Sequence, residues 1–245
     1  MAGLNLDDYR ASGHATVPGV FSAAEMDAAI ADLERWGESF LSSLEPSQRK
    51  WYVDGGVKAR EVLRKLDNPH HERAAFRALA SDPRLVRLVE SAIGPGVWVY
   101  FSQVFFKAPE GGGPKPAHQD NWYFGPRDAD ALVTAWIALD DATVENGCLH
   151  FAEGSHRAPL VRHVAPAGEP YNLQLPEAAL AGLPMTPAPV PKGGVSFHHG
   201  AVIHQSGPNR STRWRRACAL HYVSNGNAFT NPALPYDTAA FLRIT

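Results

Sequence analysis

Apolar positions follow one period before about residue 95 and another after it. In the first part they recur at helical spacing. From Ala23 to about Trp36 the chain reads as a helix, opened by a capping box formed by Ser22 and Glu25. Ahead of it, HATVPGVF reads as a short strand ended by Pro18-Gly19. A second helical stretch from about Glu72 to Ile93 is broken at Ser81-Asp82-Pro83, because a residue before proline is pushed out of helical geometry.

After Gly94-Pro95-Gly96 the runs become β-branched and aromatic. VWVYFSQVFFKAP, ALVTAWIALDDA, GCLHFAEG, GGVSFHHGAVIHQSG and RRACALHYVS predict strands, separated by clusters of Gly, Pro, Asn and Asp. Helices followed by many short strands predict an α+β fold with a jelly roll or barrel as its β part. With no internal repeat and no long linker, one domain over 1–245 is expected, helical over about 1–95 and β over about 96–245. The Pro-rich stretch 175–191 reads as an excursion between strands.

Composition narrows the function classes. Hydrophobic residues at 44% and charged residues at 20% fit a soluble globular chain, and a net charge of −2 gives no electrostatic reason to expect nucleic acid or an anionic membrane as partner. No apolar run approaches the roughly 18 residues of a membrane span. The N-terminal MAGLNLDDYRASG lacks the basic and apolar parts of a secretion signal, so a cytoplasmic location is expected. Cys148 and Cys218 are then expected as buried thiols rather than a disulfide. The oligomeric state is left open.

Candidate chemistry begins at PAHQDNWYF (116–124). On a strand, His118 and Asp120 would project from one face, as a hydrogen-bonded pair or as two metal ligands. A third ligand is available among His198, His199, His204 and His221. A turn centred on Pro208-Asn209 is expected to join two antiparallel strands and set His204 opposite Arg215, with Ser206 and Arg213 on the same face. That patch suits a dicarboxylate held by arginine at one end and a metal at the other. Two histidines and one carboxylate form a facial triad, which leaves positions on iron for a 2-oxo acid and dioxygen.

HQD, AWIALDDATVENGCLHFAEGSH and HQSGPNRSTRWRR, between an opening DDYRASGHATVPGVFSAAEM and the CALHY strand, resemble the phytanoyl-CoA dioxygenase family. That family consists of iron(II)- and 2-oxoglutarate-dependent oxygenases. The resemblance implies a double-stranded β-helix (jelly-roll, cupin-like) core with N-terminal helices packed on it. It also implies Fe(2+), 2-oxoglutarate and O2 as cofactor and cosubstrates, with His118, Asp120 and His204 on iron. Arg215 and Ser206 would hold the distal carboxylate of 2-oxoglutarate, with Gln103, Trp136 and Lys65 around it. Gln119, Trp122, Phe106 and His198 are expected near the substrate, a small molecule most simply hydroxylated with release of succinate and CO2. Cyclisation, desaturation or epimerisation on the same scaffold, or a non-catalytic metal- or ligand-binding module, are the alternatives. A carboxylate at position 120 argues against halogenation.

Overall fold

The structure, a computed structural model, describes residues 3–57, 60–169, 172–230 and 232–245. The first two residues of the N-terminal stretch read above lie outside the described residues. The capping box forms as expected: Ser22 Oγ accepts from Glu25 N at 3.3 Å, and Glu25 Oε2 accepts from Ser22 N at 2.7 Å. It starts the helix Ala23–Ser43, whose buried face is Met26, Ala29, Ile30, Leu33 and Gly37. Asp82 caps the helix Pro83–Ile93, which has proline in its first turn and buries Leu85, Val86 and Val89. The break expected at Ser81-Asp82-Pro83 falls between this helix and Ala74–Ala80.

Two antiparallel sheets and a two-stranded ribbon, Val53–Val57 with Arg60–Leu63, carry the rest, so the part before residue 95 is not wholly helical as expected. The seven-stranded major sheet runs His14–Val17, Val195–His199, Leu132–Ala138, Arg215–Ser224, Val97–Lys107, with Lys65–Asp67 and Leu242–Arg243 both paired to that last long strand. The four-stranded minor sheet runs Lys115–His118, His204–Ser206, Leu149–Phe151, Thr186–Ala188. The last of these strands lies within the Pro-rich excursion. The architecture is the α+β double-stranded β-helix.

The major sheet is covered on both faces, so its strands are apolar runs sorted by alternation. Val133, Ala135, Ile137, Val195, Phe197, Cys218, Leu220 and Tyr222 share one core with the helices. Met26 and Leu33 of that core are wholly buried, each contributing roughly 1.5–3 kcal/mol relative to exposure. The alternate residues Thr134, Trp136, His198, Arg215, Ala219 and His221 line a cavity instead. Both cysteines are free and buried, as expected. No helix among the described residues is long and apolar enough to cross a membrane.

Two further expectations need correction. Asp120 does not share a strand with His118: the strand ends at His118, and Asp120 opens a short helix, Asp120–Phe124. Nor do His204 and Arg215 face each other in a hairpin. His204 pairs with His118 and Phe151 in the minor sheet, whereas Arg215 pairs with Lys107 in the major sheet. Asn209 accounts for the difference. Its Nδ2 donates to the carbonyls of Lys107 (3.0 Å) and Arg213 (2.6 Å), and its Oδ1 accepts from Ser211 N at 2.9 Å. Those bonds make the segment a loop crossing between sheets rather than a two-residue turn.

Candidate metal centre

The strand pair of the minor sheet sets His118 and His204 side by side as Cα partners, with ring centroids 4.2 Å apart. Each ring is oriented by its own backbone. His118 Nδ1 lies 2.8 Å from the Pro116 carbonyl and His204 Nδ1 lies 3.1 Å from that of Val202. A carbonyl can only accept, so each Nδ1 carries the proton and each Nε2 presents a lone pair.

The lone pairs converge on Asp120. Its Oδ1 stands 3.7 Å from His118 Nε2 and 3.8 Å from His204 Nε2, and ligand atoms of the three residues lie within 4.8 Å of one another. The short helix that supplies Asp120 is anchored by Asn121 N donating to the Gly200 carbonyl at 2.8 Å. A side chain at position 200 would displace Asn121, because a Cβ there would come 2.0 Å from Asn121 Oδ1.

The other carboxylate oxygen is held by the major sheet. Thr134 Oγ1 donates to Asp120 Oδ2 at 2.6 Å and lies 2.8 Å from His221 Nδ1. His198, Thr134, His221 and Phe101 form one row of Cα partners across the sheet. His198 Nε2 comes within 3.3 Å of Oδ2 without hydrogen-bond alignment. Asp120 thus offers Oδ1 to the centre while Oδ2 is occupied.

Burial acts to raise the Asp120 pKa, but His204, His221 and His198 outweigh it and hold the carboxyl well below its usual range. Burial pushes His204 down to about 4, and burial with its neighbours His204 and Lys115 pushes His118 well below the usual imidazole range. Two neutral imidazoles and one ionised carboxylate, all buried, fit a divalent cation. The site forms from the sequence-predicted His118, Asp120 and His204, whereas His199 lies elsewhere, its Nε2 3.1 Å from Asp130.

Arg215 lines the same cavity, which has a volume of about 620 Å³. It is 2% exposed, and its Nε and one Nη have no hydrogen-bond partner. Burial pushes its pKa down to about 9, only weakly opposed by Cys148 and Asp140. The adjacent Lys107, pushed down to about 6 by burial and by Arg215, donates to the carbonyls of Gly113 and Gly207 at 2.6 Å each. A buried guanidinium with no ion-pair partner among the described residues is costly to leave alone, and an anion in the cavity would satisfy it. Trp136 lies against it, with its ring 5.5 Å from the guanidinium carbon, and Ser206 also lines the cavity. Arg213 is exposed.

The remaining expected residues divide. Gln103 and Lys65 line the cavity, but their polar heads turn to Asp67, at 2.7 and 2.9 Å. His198 and Phe106 line it as well. Gln119 and Trp122, expected near the substrate, are not among the lining residues. Gln119 is 1% exposed and ties the Ala201 carbonyl (2.7 Å) to Val161 N (2.9 Å), while Trp122 stacks on His163 at 5.1 Å. Thr134, Lys107 and Lys115 were not singled out from the sequence, and His221 was offered only as one of four possible third ligands. For His221 a signal existed, since 215, 217, 219 and 221 alternate onto one face of a strand.

A family model described as phytanoyl-CoA dioxygenase (PhyH) matches residues 9–217. A probable alpha-ketoglutarate-dependent hypophosphite dioxygenase of Stutzerimonas stutzeri is 27% identical over 89% of this chain and 77% of its own. The peroxisomal phytanoyl-CoA dioxygenase of Rattus norvegicus is 30% identical over 70% of this chain, which spans only 52% of that protein. The solved epimerase SnoN, in complex with Fe3+, alpha ketoglutarate and nogalamycin RO, superposes with a TM-score of 0.73 at 25% identity, covering 94% of this chain and 86% of SnoN.

Proposed function

The chain belongs to the phytanoyl-CoA dioxygenase family and is an iron(II)- and 2-oxoglutarate-dependent oxygenase, and from that premise we propose that it hydroxylates a small organic molecule, releasing succinate and CO2. The reading treats 1–245 as one domain, with iron held by His118, Asp120 and His204. One observation carries it: a buried two-imidazole, one-carboxylate donor set shares a cavity with a buried guanidinium that has no ion-pair partner among the described residues.

When bound, iron with 2-oxoglutarate and dioxygen supplies the oxidising power that removes a hydrogen atom from the substrate. The chain's own residues select and position. His118 and His204 donate through Nε2 because Pro116 and Val202 fix the proton on Nδ1. Thr134 turns one oxygen of Asp120 away from the centre. Arg215 pairs with the far carboxylate of 2-oxoglutarate, assisted by Ser206, while Trp136 walls that end of the cavity. Gln103 and Lys65 act through Asp67 at the flank.

The test is succinate formation from 2-oxoglutarate with iron(II) and dioxygen, followed by the mass of the product. Gain of one oxygen supports hydroxylation. An isomer of unchanged mass would favour epimerisation, the activity named for SnoN. Absence of succinate with every candidate substrate and without one would overturn the enzymatic reading.

A further inference from the structure

Two cations lining the cavity, Lys115 and Arg64, have no ion-pair partner among the described residues, and Lys115 is the one on the strand of His118. Lys65 is matched by Asp67 at 2.9 Å, Lys107 by two carbonyls at 2.6 Å, and Arg215 by the cosubstrate in the reading above. Of the lining carboxylates, Asp54 accepts from Gly113 N at 3.2 Å, Asp237 caps a turn by accepting from Ala239 N at 2.9 Å, and Asp120 belongs to the metal centre. None forms an ion pair with Lys115. Its Nζ donates to Tyr123 Oη at 3.3 Å and to Asn172 Oδ1 at 3.1 Å, both neutral. Glu169 and Asp120 act on it as nearby charges without pairing with it, and Glu169 Oε2 instead accepts from Asn172 Nδ2 at 2.9 Å. An ammonium has three N–H groups, so one remains for a ligand. Burial, with the like charges of Lys65 and Arg64 added, pushes Lys115 down to about 7.

Lys115 stands beside the chemistry. It is the Cα partner of Ser206 and shares the strand of His118. Tyr123, which accepts its hydrogen bond, meets the His118 ring edge-on at 5.7 Å. Arg64 lines the same cavity and has no ion-pair partner among the described residues. The same cavity has an aromatic part to its lining, where Phe101, Phe124 and Tyr236 pack on one another with centroids 5.2–6.0 Å apart.

We propose that the substrate is a small organic acid, its carboxylate or phosphoryl oxyanion paired with Lys115 and its apolar body lying against Phe101, Phe124 and Tyr236. The proposal rests on the oxygenase reading above. Removing Lys115's charge strands the anion, whereas removing it from a purely structural lysine would leave ligand preference unchanged.

The experiment is an anaerobic calorimetric titration of the protein carrying iron(II) and 2-oxoglutarate. The probes are phenylacetate, phenyl phosphate and the neutral phenylacetamide. At least one anion is expected to bind about tenfold or more tightly than the amide, as one charge-assisted contact implies. Phenylacetate against phenyl phosphate distinguishes the two oxyanions. The preference should disappear in Lys115→Met and persist in Lys115→Arg. Equal binding of amide and acids, an unchanged preference in Lys115→Met, or no binding of either anion would overturn the proposal. The wild-type comparison decides even where Lys115→Met does not fold. Failure of 2-oxoglutarate itself to bind in the first step would instead bring down the oxygenase reading.

Discussion

The inner end of the cavity and its mouth are built differently. At the inner end, His118, Asp120, Thr134, His204 and Arg215 are each 7% exposed or less, and all stand on sheet strands except Asp120, which opens the short helix after His118. Their orientation is fixed by backbone carbonyls, cross-strand partners and one another. At the mouth, Gln48, Trp51, Tyr52, Asp54, Leu234, Pro235 and Asp237 come from short helices, a two-stranded ribbon and loops. On the proposed function the contrast separates reaction from selection: the end assigned to metal and cosubstrate cannot change without disturbing two sheets, whereas the mouth can be rebuilt residue by residue.

The largest effects should therefore come from the inner end. Asp120→Ala and His204→Ala are expected to abolish iron binding and succinate formation, since each removes one of three ligands. Iron content after dialysis measures this, and full activity in either variant would break the contrast. Thr134→Val keeps shape but frees Asp120 Oδ2. It should weaken metal affinity or activity by roughly 10–100-fold, the usual cost of losing a partner behind a ligand. Trp122→Leu lies off the cavity and should leave succinate formation intact while lowering the melting temperature, because it breaks the stack on His163.

A smaller, graded effect should appear with pH. His70 is wholly buried, with its ring nitrogens 2.6 Å from Ser102 Oγ and the Ala240 carbonyl. Burial pushes its pKa down from 6.5 to about 4. The unfolded chain takes up this proton below pH 6.5 and the folded chain only near 4, so stability present above 6.5 is lost as pH falls through that window. Melting curves across it should show a decline, shallower in His70→Gln.

What could be read from the sequence follows the range of the interactions involved. The capping box, the helix break at Pro83 and the strand segments are local, and they stand where periodicity and turn chemistry put them. HxD was legible as a candidate pair whose side chains do converge, although the shared strand expected for it was not correct: the chain turns into a helix at Asp120, where the carboxylate meets His204. The His204–Arg215 hairpin failed for a non-local reason. Asn209 binds the Lys107 carbonyl across 102 residues, a contact no turn rule contains. Thr134 and His221 act through strand-to-strand register, which only the assembled sheet supplies. Lys115 drew no reading from the sequence, because only the folded cavity that it lines gives it a place.

The central claim is that Arg215 and the His118, Asp120, His204 centre hold 2-oxoglutarate between them. Its most direct test is calorimetric titration of 2-oxoglutarate into the iron(II)-loaded protein and its Arg215→Ala and Arg213→Ala variants. Losing one partner of a buried, charge-assisted pair should weaken binding in Arg215→Ala by roughly a hundredfold or more. Arg213, being exposed, should matter little. Unchanged affinity in Arg215→Ala, or a larger loss in Arg213→Ala, would contradict the account.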